Sequence, residues 1–279
     1  MSIKNILVAY NGTASSDAAV GLGLLMATKY DAHLTGALVH GMPATLANAG
    51  VWLPDSLQED FAEIVARTKK EVYGGIAARF AELTEGKGAA DRIHWMDVAG
   101  TPDAALVEIA RRFDITLLGK YAPVPGENQL VLHPDLVALQ SGRPVLIVPE
   151  GFAVEALGDH AVLAWDGKRA AARALADAMK ILETKTLVTV LVVGDDGVRE
   201  GPTGATLALQ LERHGIPARR VTVPRKGSIG ATIADWCAAS GAGLLVMGAY
   251  EHSKFSEDLI GGVTNDVFDR ITIPVLMSH

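Results

Sequence analysis

Short runs of apolar residues recur along the chain and alternate with longer segments whose apolar residues are spaced three or four positions apart. Residues 6–9 form the first run, residues 18–29 have the wider spacing, and residues 34–39 form the next run. Continuous apolar runs of about four to eight residues indicate strands buried on both faces of a sheet, whereas the wider spacing indicates helices. The pattern therefore predicts an α/β fold with helices covering both faces of a parallel sheet.

This strand-helix-strand pattern occurs twice. Residues 6–12 (ILVAYNG) align without gaps on residues 161–167 (AVLAWDG), and in both halves an alanine-rich helical segment and a second apolar run follow. Later segments also correspond: 92–95 with 220–223, 103–112 with 229–239, 116–119 with 245–248, and 143–148 with 273–277. The repeat predicts two tandem domains, residues 1–150 and residues 158–279, each with a five-stranded parallel sheet.

The last apolar run of each half begins with a proline, Pro144 in the first half and Pro274 in the second. Because proline lacks an N–H group, such a strand suits the edge of a sheet. The two edges are natural places for the halves to meet, and an exposed edge would also favour a homodimer. A loop-like insert at residues 41–54 precedes a helix predicted at 57–80, and the second half has a shorter counterpart at 194–204.

Composition and charge narrow the class of protein. The 279 residues are 49% hydrophobic and 20% charged, and the net charge of −7 divides as −5 before Gly151 and −2 from there on. Neither half is a basic nucleic-acid module. The start of the chain lacks a targeting segment, and no apolar run reaches the ~18 residues that span a bilayer, which predicts a cytoplasmic protein without a membrane anchor. The single cysteine, Cys237, excludes an internal disulfide and a cysteine metal cluster.

Several common motifs are absent or incomplete. The pair Gly21 and Gly23 lies inside a predicted helix and lacks the third glycine of a dinucleotide fingerprint, and the segment 86–88 lacks the spacing of a P-loop. The eight histidines, among them His40, His94, His133 and His252, are dispersed. Each is expected to be structural or solvent-facing unless a second ligand lies beside it. The sequence predicts no catalytic residue and no metal site.

One arrangement of glycines suggests an anion site in the second half. Ligands of open α/β sheets bind outside the carboxyl ends of the strands, where helix N-termini and glycine turns present N–H groups. Asp166 and Gly248 follow two predicted strands there, and Gly261 and Gly262 open a helix that runs to about Arg270. Glycines about a dozen residues apart can bring bare amides around phosphates. They can equally be a helix entry, with Asp166 a turn or N-cap residue, and the spacing alone favours neither interpretation.

The residues from Val246 to Thr264, together with the closing run that begins at Ile273, resemble the universal stress protein family in its tandem two-domain form. The segment is similar to the family's ATP signature, which is glycine, two residues, glycine, nine residues, glycine and then Ser or Thr. The resemblance implies an adenine nucleotide alpha hydrolase-like fold and a regulatory stress-response protein that binds ATP or AMP, with Mg²⁺ as the accompanying ion. By position, Asp166 would face the ribose or adenine and Val193 the base. The phosphates would be lined by Gly248, Gly261, Gly262, Val263 and Thr264.

Two positions depart from that signature. Glu251 replaces its second glycine, and Gly262 replaces its Ser or Thr. A carboxylate repels a phosphate by ~1 kcal/mol in water at ~4 Å, and more when desolvated. The missing hydroxyl costs ~1 kcal/mol, while the amide of Gly262 remains. Lys254 could offset some of the charge, and Glu251 could alternatively act as a hydrolytic base.

The first half departs further from the signature. Asn11 stands where the second half has Asp166, and Gly119 is followed by a segment with two prolines and one further glycine. We therefore expect no nucleotide in the first domain. Residues 131–135 (VLHPD) predict the start of a helix that runs to about Gln140.

Three functions remain open from the sequence. The first is a nucleotide-binding stress protein with its site in the second domain. The second is an interaction module that acts through unidentified protein partners, favoured by Glu251, Gly262 and Asn11. The third is a binder of another small anion or apolar ligand, with the insert from Met42 to Pro54 as a pocket wall.

Overall fold

The computed structural model describes residues 2–41, 55–120, 132–152, 157–194, 203–249 and 262–279. The first half contains β1 Asn5–Ala9, α1 Ala14–Tyr30, β2 His33–His40, α2 Asp55–Thr84, β3 Ile93–Ala99, α3 Pro102–Ala110, β4 Ile115–Gly119, α4 Pro134–Ser141 and β5 Val145–Val148. The second half contains β6 His160–Ala164, α5 Arg169–Leu182, β7 Leu187–Val193, α6 Thr203–Arg213, β8 Ala218–Val223, α7 Ile229–Ser240, β9 Leu244–Gly248, α8 Gly262–Arg270 and β10 Val275–Ser278. A short 3₁₀ turn, Ala90–Arg92, precedes β3.

The described strands form one ten-stranded sheet in the order β3-β2-β1-β4-β5-β10-β9-β6-β7-β8. Strands are parallel within each half, and the halves join where β5 pairs with β10 in antiparallel fashion, with Leu146 opposite Leu276. The predicted fold, two five-stranded parallel sheets with helices on both faces, is confirmed. The domain boundaries at residues 150 and 158 stay a prediction.

The pairing of β5 with β10 confirms that the halves meet at their proline-led strands, and it corrects one further expectation. The proline-led strands were expected to present exposed edges that favour a homodimer, but each covers the other inside one chain. Among the described strands, the outer edges of the sheet are β3 and β8. The edge argument for a homodimer therefore fails for β5 and β10, because their hydrogen-bonding groups already have partners.

The core has two layers, one on each face of the sheet. Helices α1, α2, α5 and α6 contribute buried residues to one layer, and α3, α4, α7 and α8 contribute to the other. The central strands supply both layers, because successive side chains point to opposite faces: Ile6 and Val8 belong to the first and Leu7 to the second. Each fully buried aliphatic side chain contributes about 1.5–3 kcal/mol.

The start of α1 and the presence of α6 differ from the sequence prediction, whereas α4 agrees with it. Helix α1 begins four residues before residue 18, because Thr13 caps it by accepting a hydrogen bond from the Ser16 amide at 3.3 Å. Helix α4 begins at Pro134, within the helix start predicted at 131–135, because proline suits the first helical turn. Helix α6 was not predicted. It has eleven residues, and the glycine in its first turn resembles a loop signal.

Candidate functional site

The carboxyl ends of β9, β6 and β7 lie side by side and bring three of the predicted site residues to one edge of the sheet. Gly248 and Val193 are the last residues of their strands, and Asp166 follows β6 by two positions. Backbone hydrogen bonding between β6 and β7 continues past the end of β6, since Trp165 N donates to Leu191 O at 2.8 Å. The predicted edge therefore exists in the second half, and its role as a nucleotide site stays a prediction.

Gly248 is needed for packing, whatever binds there. A Cβ atom at this position would lie 2.6 Å from the carbonyl carbon of Ala170 and 2.7 Å from the amide nitrogen of Ala171. The end of β9 thus lies directly against the first turn of α5. Gly119 makes the same approach to Ser15 and Ser16 in the first half. Both glycines place a helix N-terminus beside a strand end.

Asp166 has a local structural role. Its side chain is exposed, and Oδ1 accepts a hydrogen bond from the Lys168 amide at 3.0 Å. Gly167 follows with a φ of 78°, a conformation that favours glycine. The turn interpretation left open by the sequence is therefore realised, and it still leaves Asp166 at the sheet edge.

The residues predicted to line the phosphates are only partly described. Helix α8 begins at Gly262, while Gly261, Glu251 and Lys254 lie outside the described residues. Val263 is 37% exposed and Thr264 only 3% exposed. Helix α8 packs closely on α7, where a Cβ at Gly230 would lie 2.7 Å from the Cβ of Asp266. Of the described α8 side chains in this set, Val263 is the one open to solvent.

The start of α5 has two features that favour an anion. The N-cap position is Lys168, whose ammonium group cannot accept hydrogen bonds from the helix amides, and no side-chain cap is present. Arg169, the first helical residue, is exposed and adds a second cation. In the first half the same positions are Thr13, which caps α1, and Ala14. Aligning residues 166–169 (DGKR) with residues 11–14 (NGTA) shows that two cationic residues replace the capping threonine and the alanine. The sequence prediction overlooked this difference.

The C-terminal residues complete the edge, because β10 runs parallel to β9 with Ser278 opposite Gly248. His279 Nδ1 lies 2.8 Å from the carbonyl oxygen of Ala249, and its Nε2 lies 3.3 Å from Arg169 Nη2. A neutral ring that donates from Nδ1 and accepts at Nε2 satisfies both contacts. Sequence reasoning missed these residues because only the strand order brings them to Gly248.

Two buried polar atoms lie at or beside this edge without a hydrogen-bond partner among the described residues. They are the Oγ of Ser278 and the Nε1 of Trp165. Buried polar groups are nearly always paired with protein, water or ligand. Ser278 lies opposite Gly248 at the edge itself, whereas the Trp165 side chain lines the neighbouring groove between α5 and α6.

The corresponding edge of the first half is nearly closed. A cavity of about 10 Å³ remains there, lined by Asn11, Thr13, Ser15, Gly119 and Leu132 among others. That volume holds about one water molecule. Helix α2 also covers the end of β1, since a Cβ at Gly12 would lie 3.2 Å from Ile76.

An aromatic cluster fixes α2 in that position. Phe80 packs against Tyr10, with ring centroids 5.7 Å apart, and against Trp95 at 5.0 Å. The Tyr10 hydroxyl donates to Asp17 at 2.7 Å, and Arg79 also contacts Asp17. Burial, followed by the bond to Asp17, raises the pKa of Tyr10.

The second half has an open groove between α5 and α6. Its volume is about 830 Å³, and its apolar walls include Trp165, Leu175, Met179 and Leu207. In the first half, Asp17 occupies the position of Ala172 and joins α1 to Arg79 of α2. The two halves thus share a fold and differ in how a helix covers this face.

Neither a membrane-spanning helix nor a group of three metal-ligating side chains is found in the described part of the chain. No helix there is long and apolar enough to cross a bilayer. No three His, Cys, Asp or Glu residues there are grouped so that they could hold a metal ion.

The fold is that of an α/β protein with a mostly parallel sheet, and an uncapped helix N-terminus lies at the carboxyl edge of its second half. Residues 158–279 match the universal stress protein family. The resemblance found in the sequence is thereby confirmed. The match covers less than half of the chain, and for the first half the comparisons show the fold alone.

Solved structures share the fold of the whole chain. A universal stress protein from Archaeoglobus fulgidus is 16% identical, with a TM-score of 0.74 over 99% of this chain and 96% of that one. A protein of unknown function from Pseudomonas aeruginosa is 15% identical, with a TM-score of 0.58 over 99% and 92%. A putative universal stress protein from Pseudomonas aeruginosa is 15% identical, with a TM-score of 0.53 over 99% and 93%. No curated protein matches the chain in sequence.

Proposed function

We propose that the second half binds an adenine nucleotide, ATP or AMP, at the carboxyl edge of β6, β7 and β9. The protein acts in the cytoplasm as a regulator of a stress response rather than as an enzyme. The observation that carries the proposal is the N-terminus of α5, which has no side-chain cap, carries Lys168 and Arg169, and lies against Gly248. The family match of residues 158–279 supports it.

The charges favour a polyphosphate over a neutral ligand. A helix N-terminus stabilises an anion by about 0.3–1 kcal/mol, and a hydrogen bond to a charged group contributes about 1.5–3 kcal/mol. Arg169 can supply such a bond from the edge. Mg²⁺ accompanying ATP would be held mainly by phosphate oxygens and water, because the described residues offer no group of carboxylates for it.

Binding without rapid turnover fits the described groups at this edge. Asp166 is engaged by the Lys168 amide, and both nitrogens of His279 have partners. A general base needs a free acceptor within hydrogen-bond reach of the attacking water. His279 offers none in this arrangement, and Asp166 keeps only Oδ2 for that role.

The first test is direct. The purified chain is denatured, released adenine is measured by absorbance, and the apo protein is titrated with ATP and AMP. Arg169→Ala should weaken ATP binding by about tenfold or more, from the ~1.5–3 kcal/mol of a charged hydrogen bond. Arg173→Ala is the matched control, because Arg173 lies one turn further along α5 and pairs with Asp177 at 2.9 Å. Absence of binding at millimolar nucleotide would contradict the proposal.

The resemblance to the ATP signature adds two variants. Gly261→Asp should abolish binding by placing a carboxylate at the phosphates, and Glu251→Gly should strengthen it by removing one. Unchanged affinity in both would show that the phosphates bind elsewhere.

The alternative is an interaction module that works through protein partners without a nucleotide. The apolar groove between α5 and α6, with Leu209 46% exposed on α6, favours this function. A complementation assay separates the two. Arg169→Ala should fail to restore stress survival if nucleotide binding is required, and should restore it fully if the chain is a nucleotide-independent module.

A further inference from the structure

Two exposed histidines meet at the opposite end of the sheet, away from the proposed nucleotide edge. His33 opens β2, and His94 is the second residue of β3, the outer strand of the first half. They are 61 residues apart in the chain. From the sequence, a histidine is expected to be a ligand only when a second ligand lies beside it, and the structure supplies that second ligand.

The geometry of the pair is close and ordered. His33 Nδ1 and His94 Nε2 are 3.0 Å apart. The two rings are nearly parallel, with centroids 5.3 Å apart and an interplanar angle of 16°. The backbone beneath them is fixed by parallel pairing, with Leu34 opposite Ile93 and Thr35 opposite His94. Little chain entropy remains to be lost when both rings bind one ligand.

A shared metal ion requires a nitrogen spacing close to the one observed. Two nitrogens bound at about 2.1 Å lie about 3.0 Å apart at a right angle and about 3.4 Å apart at the tetrahedral angle. We propose that His33 and His94 form a two-histidine site for a borderline divalent metal, Zn²⁺ or Ni²⁺. Imidazole nitrogen selects these ions over Mg²⁺ and Ca²⁺, which prefer oxygen ligands.

Metal binding here requires a rotation of the two exposed rings as well as a change of tautomer, because the hydrogen-bonded nitrogens now point at each other. In the present hydrogen bond one ring donates a proton and the other accepts it. For both nitrogens to face a metal, the donating ring must carry its proton on its other nitrogen, and a neutral imidazole permits this without net proton release.

The surrounding charges explain why the site has two protein ligands. The nearest acidic side chain in sequence, Asp31, forms ion pairs with Arg92 and with Lys4, the latter at 3.2 Å. Arg92 and then Lys4, by hydrogen bonds and charge, lower the pKa of Asp31. Because that carboxylate is engaged by two cations, water would fill the remaining coordination positions, and the affinity should be moderate.

The consequence for the fold is local. A bound ion would connect the first residue of β2 to β3, the outer strand of the sheet. The site is independent of the proposed nucleotide function, because it lies at the amino ends of the strands in the other half.

The test is a calorimetric titration of the full chain, without a polyhistidine tag, with Zn²⁺ and with Mg²⁺. One equivalent of Zn²⁺ should bind, and Mg²⁺ should not. His33→Gln and His94→Gln should each lower the affinity by at least about tenfold, since even indirect ligand partners contribute 10- to 100-fold. His214→Gln removes an exposed histidine of the second half and should leave binding unchanged.

A second measurement locates the ion. Paramagnetic Ni²⁺ should broaden the backbone amide signals around residues 33 and 94, and should leave those around Asp166 sharp. Both glutamine variants should keep the parent's circular dichroism spectrum, because the two side chains are exposed. Failure to bind Zn²⁺ at millimolar concentration, or equal affinity in the parent and both variants, would overturn the proposal.

Discussion

The close approach of β9 to α5 at Gly248 makes a quantitative prediction for Gly248→Ala. The added methyl carbon would lie 2.6 Å from the Ala170 carbonyl carbon and 2.7 Å from the Ala171 nitrogen. Carbon atoms normally pack at about 3.5–4.0 Å, so the strand end and the helix must separate by about an ångström. Both contacts are main-chain atoms, which no side-chain rotation can relieve. We expect a loss of about 1–3 kcal/mol in the free energy of unfolding.

The same substitution in the first half separates packing from binding. Gly119→Ala would bring a methyl carbon to 2.5 Å from the Ser15 carbonyl carbon and 2.6 Å from the Ser16 nitrogen, so its stability loss should be similar. Only Gly248→Ala should also weaken ATP binding, because it displaces the N-terminus of α5. Gly74→Ala is a control that should raise stability by about 0.5–1 kcal/mol, since nothing lies within 4 Å of a Cβ on that exposed helical residue.

The measurements are urea unfolding followed by circular dichroism, and ATP titration of each folded variant. Parent-like stability of Gly248→Ala would refute the packing argument. Equal loss of ATP affinity in Gly248→Ala and Gly119→Ala would refute the assignment of the site to the second half.

Three further predictions concern the interior. Phe80→Ala should lower the free energy of unfolding by about 3–5 kcal/mol, because this 3% exposed ring packs over Gly36. Urea unfolding measures the loss. The control Val72→Ala, at a 47% exposed position, should be nearly neutral. Burial lowers the pKa of Lys185 from 10.5 to about 8. Between these values the unfolded chain binds a proton that the folded chain lacks. The free energy of unfolding of the parent, relative to that of Lys185→Met, should therefore rise from pH 8 to pH 10.5. A difference between the two proteins that does not change with pH would contradict this. Burial raises the pKa of Cys237 to about 12. This 1% exposed thiol should therefore react with a thiol reagent at pH 8 only after urea unfolds the protein. Rapid labelling of the native protein would contradict this, because it would show that the thiol is accessible.

Much of the architecture could be read from local patterns. The run at 187–193 corresponds residue for residue to a strand, because a strand covered on both faces is predominantly apolar and Thr189 is its one polar residue. Helix α6 was missed because Leu207 and Leu211 mark only a short apolar stripe, and its burial depends on strands far away in the chain.

Fewer residues of the candidate site could be predicted from the sequence. Asp166 and Gly248 were identified from their places after apolar runs, but Arg169 and His279 were not, because they are 110 residues apart and meet only when β10 lies beside β9. The lysine and arginine after Gly167 could have been noticed by comparing the two halves.

By itself the sequence determined the repeat, the alternation of strands and helices, and the family of the second half, since these depend on short-range patterns of apolar residues and glycines. Only the tertiary structure decided which distant groups meet. It covered β5 with β10 instead of leaving edges for a second chain, showed that Gly248 is required by main-chain contact, and placed His33 against His94. These outcomes depend on strand order, which arises from packing of the whole sheet and leaves no signal in any single segment.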